Sequence, residues 1–123
     1  MVEIIYDLHY LGTENSLKRA FKEVSEKYEV PIDIVLSEWT LLEDLRNHPN
    51  CDLVVIHVGR DNGNVYRQAK HCKELSKARV IAESSIFPAG RHEILQNFDY
   101  YIGPLVDPQY VEKLLREYKF IRS

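Results

Sequence analysis

Residues 52–58 read Asp-Leu-Val-Val-Ile-His-Val and form the most apolar run of the chain. The run has little polar alternation, which is typical of a central parallel strand covered on both faces. Other β-branched or aromatic runs occupy 2–7, 31–36, 78–82 and 100–102, with longer segments between them. This alternation predicts crossover units around one parallel sheet, with residues 52–58 in its middle.

Two of the intervening segments have the spacing of amphipathic helices. Apolar residues recur at three- and four-residue steps in 17–28, opposite a face of lysines and glutamates, and a similar stripe occupies 111–118. Asp107 and Pro108 supply an N-cap and a first-turn proline for the second of these helices. Both segments predict helices that cover the sheet.

The remaining helices have shorter signals. Thr40 and Glu43 have the capping-box spacing that opens a short helix through Leu45. The turn signal at 61–63 precedes a third helix, and a further short helix is predicted around 93–96. The residues expected on the buried face of the third helix are Val65, Ala69, Cys72 and Leu75.

Five strand–helix units with right-handed crossovers favour one architecture. We predict a single α/β domain over residues 1–123, a three-layer doubly wound sandwich with five parallel strands in the flavodoxin-like order 2-1-3-4-5. A length of 123 residues is that of one ordinary domain. A hydrophobic content of 45% excludes a disordered chain.

The charge balance limits the classes of partner. The chain has 16 lysines and arginines against 19 acidic residues, a net charge of −3, so no global positive field recruits nucleic acid or anionic lipid. No apolar run approaches the roughly 18–20 residues of a membrane-spanning helix, and residues 1–5 lack the basic start of a secretion signal. We therefore predict a cytoplasmic protein with no membrane or nucleic-acid partner.

Several well-known chemical motifs are missing. Cys51 and Cys72 belong to no disulfide framework or zinc motif and are expected to be buried small hydrophobic residues. The chain has no Gly-x-Ser-x-Gly elbow, no phosphate-binding glycine loop and no dinucleotide fingerprint. No cofactor is predicted, and an enzymatic role is not favoured.

Positive charge is concentrated around the third predicted helix. Such a run of basic residues is either a solvated helix face or the source of a local positive field that attracts an anionic partner. The residues concerned are Arg60, Arg67, Lys70, His71, Lys73, Lys77 and Arg79.

The predicted topology places a candidate binding site outside the carboxyl ends of the strands, where the strand order reverses. The residues expected there are Asp7, His9, His57, Asp61, Glu83 and Ser84, with Ser85 alongside. Imidazoles and carboxylates could hold a metal ion or act as an acid–base pair if they converge. In the alternative interpretation Asp7 caps the loop after the first strand, and His57 is a hydrogen-bonded histidine at the end of a buried strand.

The stretch Asn-Cys-Asp-Leu-Val-Val-Ile-His-Val-Gly-Arg-Asp-Asn-Gly, residues 50–63, resembles the third strand and following turn of response-regulator receiver domains. The resemblance extends over nearly the whole chain. It implies that Asp7 corresponds to the acidic pocket, Ser84 to the hydroxyl after the fourth strand and Tyr100 to the switch aromatic. Gly103-Pro104 stands where the family has Lys-Pro, often with a cis peptide.

The sequence departs from this family at its chemical centre. The resemblance aligns the phosphorylated aspartate with His57, a second metal-binding acid with Leu8 and the essential lysine with Gly103. Phosphoryl transfer to a receiver needs a carboxylate nucleophile, a carboxylate-bound cation and a positive charge on the phosphoryl oxygens. The resemblance therefore implies a degenerate receiver, or pseudo-receiver, without aspartyl phosphorylation.

A second resemblance covers only Asp7-Leu-His-Tyr-Leu-Gly12, which is similar to the Asp-x-His-x-x-Gly signature of cobalamin-binding domains. In that family the histidine ligates cobalt and the aspartate orients it. The family's small residues after strands 3 and 4 are absent, because residues 57–59 and 83–85 stand there. Side chains at Glu83 and Ser85 would collide with the nucleotide tail.

We therefore predict a receiver-like protein-interaction module in signalling or regulation that is not phosphorylated. Its partner is another protein or a second copy of the chain. The interface is expected at the fifth strand and its flanking helices, where Tyr100, Tyr101 and Tyr110 combine an apolar ring with a polar tip. The alternative function is a small-molecule or metal-binding domain, of cobalamin type or a small hydrolase or transferase, using Asp7, His9 and His57.

Overall fold

One parallel sheet forms the centre of the computed structural model, which describes residues 1–7, 14–38, 40–58, 63–84 and 97–122. Its strands are β1 (Val2–Asp7), β2 (Ile32–Ser37), β3 (Leu53–His57), β4 (Arg79–Glu83) and β5 (Tyr100–Ile102). Neighbouring strands follow the order β2-β1-β3-β4-β5, and every pair is parallel. The structure confirms the predicted fold class and strand order.

Four helices lie in the described ranges and cover both faces of the sheet. They are α1 (Glu14–Tyr28), α2 (Leu41–Asn47), α3 (Gly63–Leu75) and α4 (Pro108–Glu117). Buried residues of α1 and α4 share one hydrophobic cluster, and those of α2 and α3 share the other. The helix predicted around 93–96 lies outside the described residues.

Strand β3 belongs to both clusters and confirms the prediction of a central strand. Residues 53–56 are completely buried. Since successive side chains of a strand point to opposite faces, Leu53 and Val55 join the α1–α4 cluster, and Val54 and Ile56 join the α2–α3 cluster. The continuous apolar run reflects burial on both faces.

The helix ends agree with the sequence at α4 but not at α2. The side chain of Asp107 accepts a hydrogen bond from Gln109 N at 3.0 Å, with Pro108 in the first turn. Thr40 precedes α2, but its ψ of 29° is not extended and its side chain makes no capping bond. The hydroxyl donates to Asp44 Oδ2 at 2.8 Å instead, so the predicted capping box is wrong.

The buried stripe of α3 ends one turn earlier than predicted. Val65, Ala69 and Cys72 are buried, whereas Leu75, the last residue of the helix, is 43% exposed. Leu75 lies beyond the part of α3 that covers the sheet. Cys51 and Cys72 are both buried free thiols, as predicted.

None of the helices in the described ranges has the length and apolar character needed to cross a bilayer.

Candidate functional site

Strands β3 and β4 end in a matched pair of polar residues, because His57 lies opposite Glu83 in the parallel register. Alternation along these strands places both side chains on the α1–α4 face of the sheet. Tyr6 of β1 lies on the same face and joins the same cluster of buried side chains. A tyrosine, a histidine and a glutamate are thus brought together at the carboxyl edge.

The carboxylate of Glu83 accepts three hydrogen bonds. Its Oε1 accepts from the Tyr6 hydroxyl at 2.5 Å and lies 2.9 Å from His57 Nδ1. Its Oε2 accepts from the backbone N–H of Leu105 at 2.9 Å. Glu83 is only 3% exposed, so these bonds replace the water that a buried carboxylate has lost. Because an ionised carboxylate only accepts, the arrangement requires a proton on His57 Nδ1.

The Tyr6 hydroxyl is held in its protonated form. Burial, followed by the negative charge of Glu83, raises the pKa of Tyr6 far above its usual value. The hydroxyl therefore remains a donor to Glu83 throughout the physiological pH range.

Glu83 also connects separate parts of the backbone. Its carbonyl accepts from Val58 N at 2.7 Å, and the next residue, Ser84, donates its N–H to Ile102 O at 3.1 Å. The Leu105 bond adds the segment after β5 to the same point. The ends of β3, β4 and β5 and the approach to α4 are thus tied together around one side chain.

A second feature of this edge is the contact between Gly103 and Tyr110. A Cβ atom at Gly103 would lie 2.5 Å from Cζ of the Tyr110 ring, which is closer than real Cβ contacts allow. The half-buried ring of Tyr110 therefore occupies the space that the Cβ atom of any larger residue at position 103 would need. The peptide bond between Gly103 and Pro104 is trans.

The structure separates two of the predicted site residues. Asp7 is 2% exposed, and the alternation of β1 places it on the face of Ile5, opposite to Tyr6 and His57. Consistent with that face, the charge of Asp7 adds to burial in raising the pKa of Cys72 to about 12. The structure brings His57 and Glu83 into contact but places Asp7 on the other side of the sheet.

Of the remaining predicted site residues, the structure describes Ser84. Ser84 is 4% exposed and directly follows β4. His9, Asp61 and Ser85 lie outside the described residues. Within the described ranges no three His, Cys, Asp or Glu side chains are grouped so as to hold a metal ion.

The predicted interface tyrosines surround β5. Tyr100 and Tyr110 are half-buried against the α1–α4 cluster, and Tyr101 is half-buried against the α2–α3 cluster. The ring of Tyr100 meets Tyr118 edge to face, with centroids 6.1 Å apart. Burial raises the pKa of Tyr100 and of Tyr101. The three residues thus lie on both sides of the strand at the end of the described sheet.

Sequence reasoning missed Tyr6, Leu105 and the Gly103–Tyr110 contact. Placing Tyr6 requires the register of β1 against β3, in which it lies beside Val55 and therefore on the face of His57. No sequence signal exists for the backbone N–H of Leu105, because that bond depends on the path of the chain after β5.

The chain matches no protein-family model, and no curated protein is detectably similar to it. Solved structures are more informative. A response regulator receiver domain from Methylobacillus flagellatus superposes with a TM-score of 0.69 at 19% identity, covering 95% of this chain and 98% of that one. This chain has the fold of a receiver domain.

Two further structures show the same receiver fold over almost their full lengths. A response regulator from Thermotoga maritima gives a TM-score of 0.72 at 16% identity, covering 100% of this chain and 99% of that chain. A putative pilus assembly-related protein from Burkholderia pseudomallei gives 0.73 at only 8% identity, covering 95% of this chain and 88% of that one. The receiver fold is therefore shared with proteins of differing description, and the likeness establishes the fold alone.

Proposed function

We propose that this chain is a receiver-like interaction module in a signalling or regulatory assembly and that it works without aspartyl phosphorylation. The observation that carries the proposal is the state of the carboxyl edge. At the position where the receiver resemblance implies the carboxylate that accepts the phosphoryl group, this chain has His57, which is hydrogen-bonded to the buried Glu83. Where it requires a lysine, the Tyr110 ring fills the space beside Gly103.

The chemistry of phosphoryl transfer explains why these two features matter. A receiver needs a carboxylate nucleophile at the end of β3, and an imidazole bonded to Glu83 is not one. It also needs a cation over the phosphoryl oxygens, and Gly103 supplies no side chain. The carboxylate that is present accepts from Tyr6, His57 and Leu105 and is only 3% exposed. These contacts support a fixed edge rather than a reactive pocket.

Incubation with a small-molecule phosphodonor and Mg²⁺ is expected to leave the intact mass of the chain unchanged. The reason is the missing nucleophile and cation at His57 and Gly103. A response regulator treated in parallel provides the positive control. A gain of one phosphoryl group mapping to Asp7 or Asp61 would place the acidic pocket elsewhere, and a gain on His57 would indicate phosphohistidine chemistry.

A protein partner or a second copy of the chain is proposed to bind at β5 and α4. The resemblance supports this face, because receiver domains use it for partners. Tyr101 lies in β5, at the edge of the described sheet, and is partly exposed, although its hydroxyl oxygen is buried. Tyr110 has a different role here, since its ring packs against Gly103.

Tyr101→Ala and Tyr110→Ala are therefore expected to behave differently. Tyr101→Ala is expected to weaken association by about 1 kcal/mol or more, with a smaller loss of melting temperature than Tyr110→Ala. Tyr110→Ala, the matched control, is expected to lower the melting temperature because it removes a packed ring. Thermal melts combined with sedimentation velocity and partner pull-down measure both effects. If Tyr101→Ala keeps full association and loses stability, this face is packing rather than an interface.

The alternative of a ligand site built from Asp7, His9 and His57 has less support. Asp7 and His57 lie on opposite faces of the sheet. For cobalamin, the fixed and buried side chain of Glu83 stands where the nucleotide tail would need a small residue.

A further inference from the structure

An open cleft of about 850 Å³ lies at the amino edge of the sheet, at the opposite end of the strands from Glu83. Its walls come from the loop before β3, from the end of α3 with the start of β4, and from the segment that follows α4. None of these walls takes part in the hydrogen bonds of Glu83. The cleft is thus a separate site from the edge discussed above.

The cleft has exposed apolar surface. Leu75 at the end of α3 is 43% exposed and is one of the large hydrophobic residues that the fold leaves open to solvent. Tyr118 and Phe120 are half-buried on the opposite wall and pack against the α1–α4 cluster. An apolar side chain inserted between these walls would bury surface that water now covers.

The walls of the cleft also have basic residues. Lys73, Lys77 and Arg79 line it, and the Arg79 guanidinium lies 5.9 Å from the centre of the Tyr118 ring. Asp52 also lines the cleft, but its Oδ2 accepts from Glu3 N at 2.8 Å, and Lys73 pairs with Asp99 at 3.1 Å.

The basic character extends along α3. Residues 63–79 contain five lysines and arginines and a single carboxylate, Glu74, in a chain whose net charge is −3. The five basic side chains belong to exposed residues. This part of the surface has five basic residues against three carboxylates, namely Asp52 and Glu74 in the cleft and Asp99 beside Lys73. The excess of positive charge favours an anionic partner.

We propose that this cleft and the exposed face of α3 bind an acidic peptide segment of a partner protein, anchored by one apolar side chain. The volume suits a short segment, because ligand clefts of a few hundred to about 1,000 Å³ hold molecules of that size. The cations provide charge complementarity, and Leu75, Tyr118 and Phe120 provide the anchor pocket. A peptide fits better than nucleic acid, because the acidic remainder of the chain repels an extended polyanion.

The probe is a set of fluorescein-labelled heptapeptides of Asp and Glu with Leu, Phe, Tyr or Trp at the centre, together with a comparison peptide that has Ser at the centre. Fluorescence polarisation is expected to show saturable binding at low salt that weakens as salt is added. Lys77→Glu is expected to weaken binding about tenfold or more, and Leu75→Ser is expected to weaken only the peptides with an apolar centre. Lys22→Glu, on the exposed face of α1, is the matched control with the same change of net charge and is expected to bind normally.

Four outcomes overturn the proposal. They are no saturable binding by any peptide of the set, equal weakening by Lys22→Glu and Lys77→Glu, equal binding of a peptide with serine at its centre, and tighter binding of a single-stranded oligonucleotide. Circular dichroism of each variant separates a binding defect from misfolding. None of these outcomes affects the phosphodonor experiment, so failure here and failure of the proposed function are distinguishable.

Discussion

Glu83→Ala is expected to lower the free energy of unfolding by about 3–5 kcal/mol, because it removes the acceptor of two buried donors and of the partly exposed His57. The Tyr6 hydroxyl, His57 Nδ1 and Leu105 N all bond to this carboxylate. Each buried donor left without a partner costs about 1–3 kcal/mol, and water entering the vacated space recovers part of that cost. Urea denaturation monitored by circular dichroism measures the change. A loss below about 1 kcal/mol would show that the network does not stabilise the edge.

Two variants separate the hydrogen bonds from the packing. Glu83→Gln keeps the volume of the side chain but replaces one acceptor oxygen with a donor, so a cost of about 1–3 kcal/mol is expected. Tyr6→Phe keeps the ring and removes one donor, and it is expected to cost about 1 kcal/mol in the native background and almost nothing beside Glu83→Ala. Faster hydrogen exchange at the Leu105 amide in Glu83→Gln would report the same network locally.

Much of the fold could be predicted from hydrophobic periodicity. The continuous apolar run at 53–56 predicts a strand buried on both faces, and residues 53–56 are fully buried in the structure. The predicted strand order is the simplest doubly wound arrangement that fits the alternation of elements and the handedness of crossovers. Local capping was less predictable, because Thr40 has the right spacing but its backbone lacks the extended ψ that a capping side chain needs.

The candidate site was predictable in its location but not in its contacts. Topology alone places His57 and Glu83 at the carboxyl edge, and the register makes them neighbours. The sequence does not reveal that the side chain of Asp7 lies on the opposite face from His57, since that depends on the register of β1 against β3. The Leu105 and Tyr110 contacts depend on the path after β5, which no periodic pattern describes.

Gly103→Ala is expected to lower the free energy of unfolding by about 1–3 kcal/mol, the range for inserting an extra carbon into a packed site. The added Cβ would lie 2.5 Å from Cζ and 2.7 Å from Cε1 of Tyr110, so the ring has to move. The backbone at Gly103 is not in the left-handed region, and alanine is therefore not strained by its φ angle. The whole cost arises from the collision. Gly103→Lys, which restores the residue type that the receiver resemblance implies, is expected to cost at least as much.

The sign of the Gly103→Ala effect is expected to reverse when the ring is absent. In a Tyr110→Ala background the three atoms that lie nearest to the added Cβ are gone. Alanine also reduces the conformational freedom of the unfolded chain, which stabilises a protein by about 0.4–1 kcal/mol. Thermal and urea denaturation of the two single variants and the double variant form the required cycle. If Gly103→Ala costs the same in both backgrounds, the Tyr110 ring is not the obstacle. If the sign reverses, the Tyr110 ring excludes a larger side chain at Gly103, the position where the receiver resemblance implies a lysine. A functional receiver site here would then require changes at both Gly103 and Tyr110.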